Sequence, residues 1–167
     1  MKRILLGLIL VVSILLTSCN RNVRTFTGDY SYKLSGDIVF MDSEGIESHS
    51  IQTQRGQVNI LNDKQGDKND VVITVNQLNG TVYSFSATIK GDSIILKTHD
   101  CVMEFSDVST ISELTQVKKP YYVHISGRGI LHDNMLILDE QWTGERTNDS
   151  SYTLHANKIS VIAEQND

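Results

Sequence analysis

What the chain lacks narrows it first. A single proline, Pro120, and two cysteines, Cys19 and Cys101, leave neither a proline-rich linker nor a multi-disulfide framework. No Gly-x-Ser-x-Gly elbow occurs, and no Gly-rich phosphate loop precedes a helix, so two common catalytic frames are missing. Five histidines (His49, His99, His124, His132 and His155) share no ligand spacing, although His124 and His155 could face the same side of neighbouring strands. Zinc needs three or four converging donors, so no metal site is expected. His99, Asp100 and Cys101 are adjacent, but successive strand residues point to opposite faces and cannot act together. No apolar run reaches the roughly 20 residues that span a bilayer as a helix.

The longest run, Ile4 to Leu16, is broken only by Gly7 and Ser13 and follows Lys2 and Arg3. A positive start, a short apolar stretch and small residues after it match a secretory signal peptide. Its last residues, Leu16-Thr17-Ser18-Cys19, resemble the lipobox of bacterial lipoproteins. That resemblance implies a signal peptide over residues 1–18, cleaved before Cys19, and a diacylglyceryl thioether on the Cys19 sulfur. Residues 19–24 would be the lipidated N-terminus and a short polar spacer, and residues 25–167 one domain. Several acyl chains, at about 0.8 kcal/mol per buried methylene, hold such a domain to a membrane. The same resemblance implies, from Asn20 rather than Asp after the cysteine, the outer membrane of the bacterial envelope, and from the lack of an acidic run after it, the periplasmic side.

Cleavage would also change the charge. Lys2 and Arg3 leave with the signal, so 13 basic residues face 20 acidic ones, a formal charge of −7 against −5 for the whole chain. A nucleic acid is therefore not an expected partner. With Cys19 lipidated, Cys101 is a lone thiol, read as a small buried apolar residue rather than a reactive or metal-binding one.

Alternation at period two dominates the rest. Phe26, Gly28, Tyr30, Tyr32 and Leu34 share one parity and open the domain as a half-buried strand. Ser35-Gly36 reads as a turn, Arg55-Gly56 as an interruption, and Asp63 to Asp70 as an exposed charged loop. A three-residue loop at Leu78-Asn79-Gly80 puts Val71, Ile73 and Val75 opposite Ala87, Phe85 and Tyr83, one apolar face. A two-residue turn would set them against Thr88, Ser86 and Ser84. A one-residue slip flips every side chain, so the three-residue loop is preferred. Gly91-Asp92 then sets Ile94 opposite Ile89. Beyond Thr98 the alternation is less clean and implies a kink or a new strand. Val108, Ile111, Leu114 and Val117 fit two turns of amphipathic helix. A two-residue turn at Asp133-Asn134 places Gly127 opposite Glu140 and Arg128 opposite Asp139, a candidate cross-strand ion pair.

Eight to ten strands in hairpin succession with one short helix predict an all-β fold. Long strands with short turns favour an antiparallel up-and-down β-barrel, with a β-sandwich as the alternative. The lipobox, the opening Phe26-Thr27-Gly28-Asp29-Tyr30 and the Ser126-Gly127-Arg128-Gly129 hairpin together resemble the small lipocalin-like lipoproteins of Bacteroidetes. Tyr30 stands where the lipocalin Gly-x-Trp element has tryptophan.

Glu140 is the candidate site residue. The hairpin register puts it on the apolar face opposite Gly127, with Gly129 nearby and Trp142 next along the strand. Two glycines across from a carboxylate would leave room for a ligand. Alternatively Glu140 lies at a rim or pairs with a cation such as Lys158. The expected function is a non-enzymatic, cofactor-free, membrane-anchored module binding a small apolar or amphipathic ligand. The alternative is a protein–protein module, such as a periplasmic inhibitor or an accessory subunit of an envelope complex. An interior open to Glu140 and Trp142 favours the first, and one packed by Phe85, Leu96, Leu138 and Trp142 the second.

Overall fold

A computed structural model describes residues 21–78, 80–106 and 118–166. The lipobox with Cys19, and the expected helix across 108–117, lie outside these residues. Within them, a short helix α1 (Arg21–Phe26) leads into eight strands: β1 (Gly28–Met41), β2 (Glu47–Asn62), β3 (Asp70–Gln77), β4 (Val82–Lys90), β5 (Ser93–Ser106), β6 (Lys118–His132), β7 (Met135–Arg146) and β8 (Asp149–Gln165). Each pairs antiparallel with the next, and β8 returns to β1, closing the sheet into a barrel. The all-β up-and-down architecture anticipated from alternation is the one observed.

The registers argued from the turns hold. Val75 faces Tyr83 and Ile73 faces Phe85, with Gly80 at φ +87° closing the loop. Asp133 and Asn134 both take positive φ, as a type I′ turn demands, and His132 meets Met135. Gly127 therefore lies opposite Glu140, and Arg128 opposite Asp139. The Asp139 carboxylate, however, meets Lys158 Nζ on the neighbouring β8 at 3.0 Å, not Arg128.

Two expected breaks are not breaks. Ser35-Gly36 lies inside β1, where the pairing with β8 slips by one residue between Gly36 and Val39. Arg55-Gly56 lies inside an unbroken β2. Both glycines serve close approach instead of turning. A Cβ on Gly36 would stand 2.4 Å from Ile159 Cδ1, and one on Gly56 2.1 Å from the Asn76 carbonyl oxygen. In β5 the register against β6 shifts between Leu96 and His99, which carries the inward face from Ile94 and Leu96 to His99, Cys101, Met103 and Phe105. This bulge is the kink seen after Thr98.

Val23, expected in a polar spacer, and Phe26, expected to open the first strand, both lie in α1 instead. Val23 and Phe26, one helical turn apart, are both buried in the core. Tyr30 Oη donates to the Phe26 carbonyl at 3.0 Å, tying α1 under the barrel. Residues 63–70 are not uniformly exposed either. Asp70 is buried and accepts from Thr88 Oγ1 and Lys97 Nζ, each at 2.7 Å, and from the Asp67 amide at 3.2 Å. Those bonds hold its carboxyl below the usual carboxylate range.

At the end opposite α1, Phe40, Phe105 and Tyr121 pack edge to face at 5.5–5.9 Å, with Trp142 6.4 Å from Phe105. The barrel is thus plugged by α1 at one end and by aromatic rings at the other.

The Gly56 contact gives a direct test. Gly56→Ala should cost about 1–3 kcal/mol by overpacking against backbone. Gly45→Ala, at φ +78° in open space, should cost about 1 kcal/mol from backbone strain alone. Urea unfolding of both variants measures the difference.

Candidate functional site

The barrel is shorter on one side than on the other. The β3–β4 hairpin reaches only Gln77 and Val82, whereas β2 runs on past Gly56 towards Glu47 and β5 on past Leu96 to Ser106. Beside the hairpin tip, Gln77 Nε2 donates to Gln54 Oε1 at 3.0 Å, a side-chain bridge across the gap. Gln52 and Ser50 continue the inward face of β2 and bond each other at 2.8 Å. The inner lining is polar here, where the rest of the barrel is apolar. Two open depressions of about 520 Å³ flank the bridge: one bordered by Lys33, Thr53 and Leu78, the other by Tyr32, Gly56 and Asn76.

Glu140 projects inward at mid-height, as the hairpin register required, and is buried. Trp142, two residues on and therefore on the same face, donates Nε1–H to Glu140 Oε2 at 2.8 Å. Trp142 is itself fully buried in the aromatic plug, so the indole fixes the carboxyl from above. Lys158 is engaged with Asp139, and no described cation pairs with Glu140. Burial pushes the Glu140 carboxyl up to about 7, with the indole bond pulling the other way.

Its neighbours come from three other strands. The charge of Glu140 bears on Tyr32 of β1, Tyr83 of β4 and Cys101 of β5. Burial raises all three, Tyr32 to about 12 and Cys101 to about 11, so phenols and thiol stay protonated. Tyr32 Oη is buried without a hydrogen-bond partner, and Tyr83 bonds the Gln77 side chain of the bridge. His99 stacks on Phe85 at 4.0 Å and bonds the Lys97 carbonyl through Nδ1, leaving Nε2 buried and unpartnered. Burial lowers its pKa, so the ring is neutral and Nε2 is an acceptor.

The inward residues at this height belong to one core, in which Phe85, Leu96, Leu138 and Trp142 are all buried. Val58, Val75, Phe85, Leu138 and Val161 keep 4–7% of their surface accessible. Tyr30, Ile60, Ala87 and Ile94 below them, and Val123, Ile125 and Trp142 above, keep 0–1%.

Gly127 and Gly129 do not open space inside. A Cβ on Gly127 would meet the Asp139 carbonyl at 2.7 Å, and one on Gly129 the Ile137 carbonyl at 2.4 Å, so their missing side chains let β7 approach β6. The wall is thin there, and an outer groove of about 590 Å³, edged by Arg128, Asp139 and Lys158, has Gly127 and Glu140 in its lining. The sequence reading thus finds Glu140 and Trp142 together, and misses Tyr32, Tyr83, His99 and the glutamine bridge. Aromatic residues in alternation look like packing, and the β5 bulge hides that His99 and Cys101 share the inner face with Leu96.

The raised Glu140 pKa has a sign that can be checked. Folding favours the protonated carboxyl, so its contribution is intact below about 4.5 and lost as pH rises to about 7. Fully developed, the loss is about 3 kcal/mol. Glu140→Gln keeps the indole's acceptor and removes the titration. It should be more stable than the parent at pH 8 and close to it at pH 4.5, as chemical denaturation at both pH values would show.

No family model matches the chain, and no curated protein matches it. Among solved structures, a protein of unknown function from the DUF3598 family of Nostoc punctiforme PCC 73102 is similar at 11% identity and a TM-score of 0.34, over 86% of this chain and 49% of its own. This chain therefore spans about half the length of that protein.

Proposed function

We propose that the protein is a non-enzymatic binding module that takes a small ligand into the barrel at Glu140. One observation carries the reading: a buried carboxyl with no cationic partner among the described residues faces the interior, where the Tyr32 hydroxyl also lacks a hydrogen-bond partner. Proteins avoid uncompensated buried polar groups, because each costs about 1–3 kcal/mol, and a ligand supplies the missing partner. Phe85, Leu96, Leu138 and Trp142 are buried in the core with Glu140, so the ligand would be a compact amphipathic molecule rather than a long acyl chain. The gap at Gln54 and Gln77 is the proposed way in.

The lipobox supports a cell-envelope address, lipid-anchored through Cys19 on the periplasmic side of the outer membrane. α1 begins two residues after Cys19, so the α1 end of the barrel would face the bilayer. The kinship with small lipocalin-like lipoproteins of Bacteroidetes is part of the same proposal.

A protein-facing role has one observation of its own. Ile130, Ile137 and Ile162 are exposed and stand in register across β6, β7 and β8, an apolar row on the outer wall.

Native mass spectrometry of the chain isolated from its own host separates the two. The ligand reading expects a reproducible small-molecule adduct that Glu140→Gln reduces. Repeated preparations with no adduct, together with a co-purifying protein lost on Ile137→Lys, would reverse the choice.

A further inference from the structure

The groups around Glu140 are unequal in kind. On the inner face stand three acceptors that the fold leaves open. They are the Glu140 carboxyl oxygen not used by Trp142, the His99 Nε2 and the Tyr32 phenol oxygen. Of the donors, the Trp142 indole N–H is spent on Glu140, while the Tyr32 O–H can donate as well as accept. Arg146, the inward-parity cation of β7, lies at the barrel end with its guanidinium 3.7 Å from the Tyr152 ring centroid and 5.8 Å from that of Tyr121, beyond the aromatic plug. Asp100, next to His99, points outward to His124 and Tyr122.

A cationic donor at Glu140 would supply the counter-charge its carboxylate lacks and a bond for its open oxygen. An ammonium group has three donors and no acceptor, and a buried carboxylate is tolerated when it is paired and hydrogen-bonded. Ring faces gather at the same place: Tyr83 and Phe85 stack at 6.1 Å and Phe85 and His99 at 4.0 Å. Cations are drawn to such faces, most strongly where water is excluded. A neutral alcohol would fill one acceptor and leave the charge uncompensated. A carboxylate ligand would put two anions together.

We propose that the ligand is a small organic amine, bound as its ammonium ion at the Glu140 carboxyl beside Tyr32, with its apolar portion among Val58, Val75, Phe85 and Leu138. This rests on the ligand-binding reading above and specifies its chemistry. The acidic surface agrees with it, since a chain of formal charge −5 draws cations towards it.

The test uses the full-length chain in mild detergent and isothermal titration with matched probes. These are n-butylamine and 2-phenylethylamine, their alcohols 1-butanol and 2-phenylethanol, and 3-phenylpropanoate. Trp142, the one tryptophan, reports occupancy by its emission and by its indole N–H resonance. At least one amine should bind tenfold or more tighter than its alcohol and shift the Trp142 signals, and the propanoate should not bind. Glu140→Gln should bring the amine down to the alcohol's affinity. Tyr32→Phe, which removes only the unpartnered hydroxyl, should weaken the amine severalfold and serves if the glutamine variant folds poorly. Alcohol or propanoate binding as tightly as the amine would overturn the amine assignment and leave the ligand-binding reading standing. If no probe binds and chain from the host carries no adduct, both fall.

Discussion

Closure of β1 against β8 is the constraint on which everything else depends. An open eight-stranded sheet would leave two edges and one apolar face to water. Joined, the inner faces of all the strands share one interior and the edges vanish at that seam. The seam is not regular. At Gly36 and Ile159 the strands come close enough that no Cβ fits, and β8 slips by one residue against both β1 and β7. Those slips keep Leu154 and Ala156, then Ile159, Val161 and Ala163, all pointing inward. Closure thus fixes the inner address of each residue, and Glu140 is inward because its neighbours are.

Once closed, the barrel is stoppered differently at its two ends. Val23 and Phe26 of α1 fill one, and Phe40, Phe105, Tyr121 and Trp142 fill the other. Between these ends the wall opens sideways where the β3–β4 hairpin stops short of the strands beside it. The polar inner residues Ser50, Gln52, Gln54 and Gln77 sit where that opening lets water reach them, which is why they carry little burial cost. Glu140 is deeper and has only the indole. A carboxyl so placed weakens the fold at neutral pH, a cost that a bound cation would offset.

How much of this could be read from residues alone depended on the kind of signal. Hairpin registers were legible because alternation and turn chemistry agree: only one loop length at Leu78-Asn79-Gly80 aligns Val71, Ile73 and Val75 with apolar partners, and Asp133-Asn134 suits a type I′ turn. Counting outward from that turn was enough to find Glu140 and Trp142 on one face. Close approaches of strands were illegible, because Gly36 and Gly56 look like turn residues until the neighbouring strands are seen against them. Asp70 looked like one more loop charge, since Thr88 and Lys97 reach it from strands distant in sequence. The parity switch between Leu96 and His99 was visible as a blurred pattern, but its meaning, that His99 and Cys101 turn inward, needed the partner strand β6.

The central claim is that Glu140 is a buried carboxyl held by one indole and otherwise uncompensated. Carbon-13 NMR of the glutamate carboxyls, assigned by comparison with Glu140→Gln, reads its protonation directly as pH is varied. The structure predicts a midpoint of about 7 in the unliganded chain, far above the ordinary 4.5. A midpoint at the ordinary value would mean that Glu140 is solvated or paired, and would contradict the account.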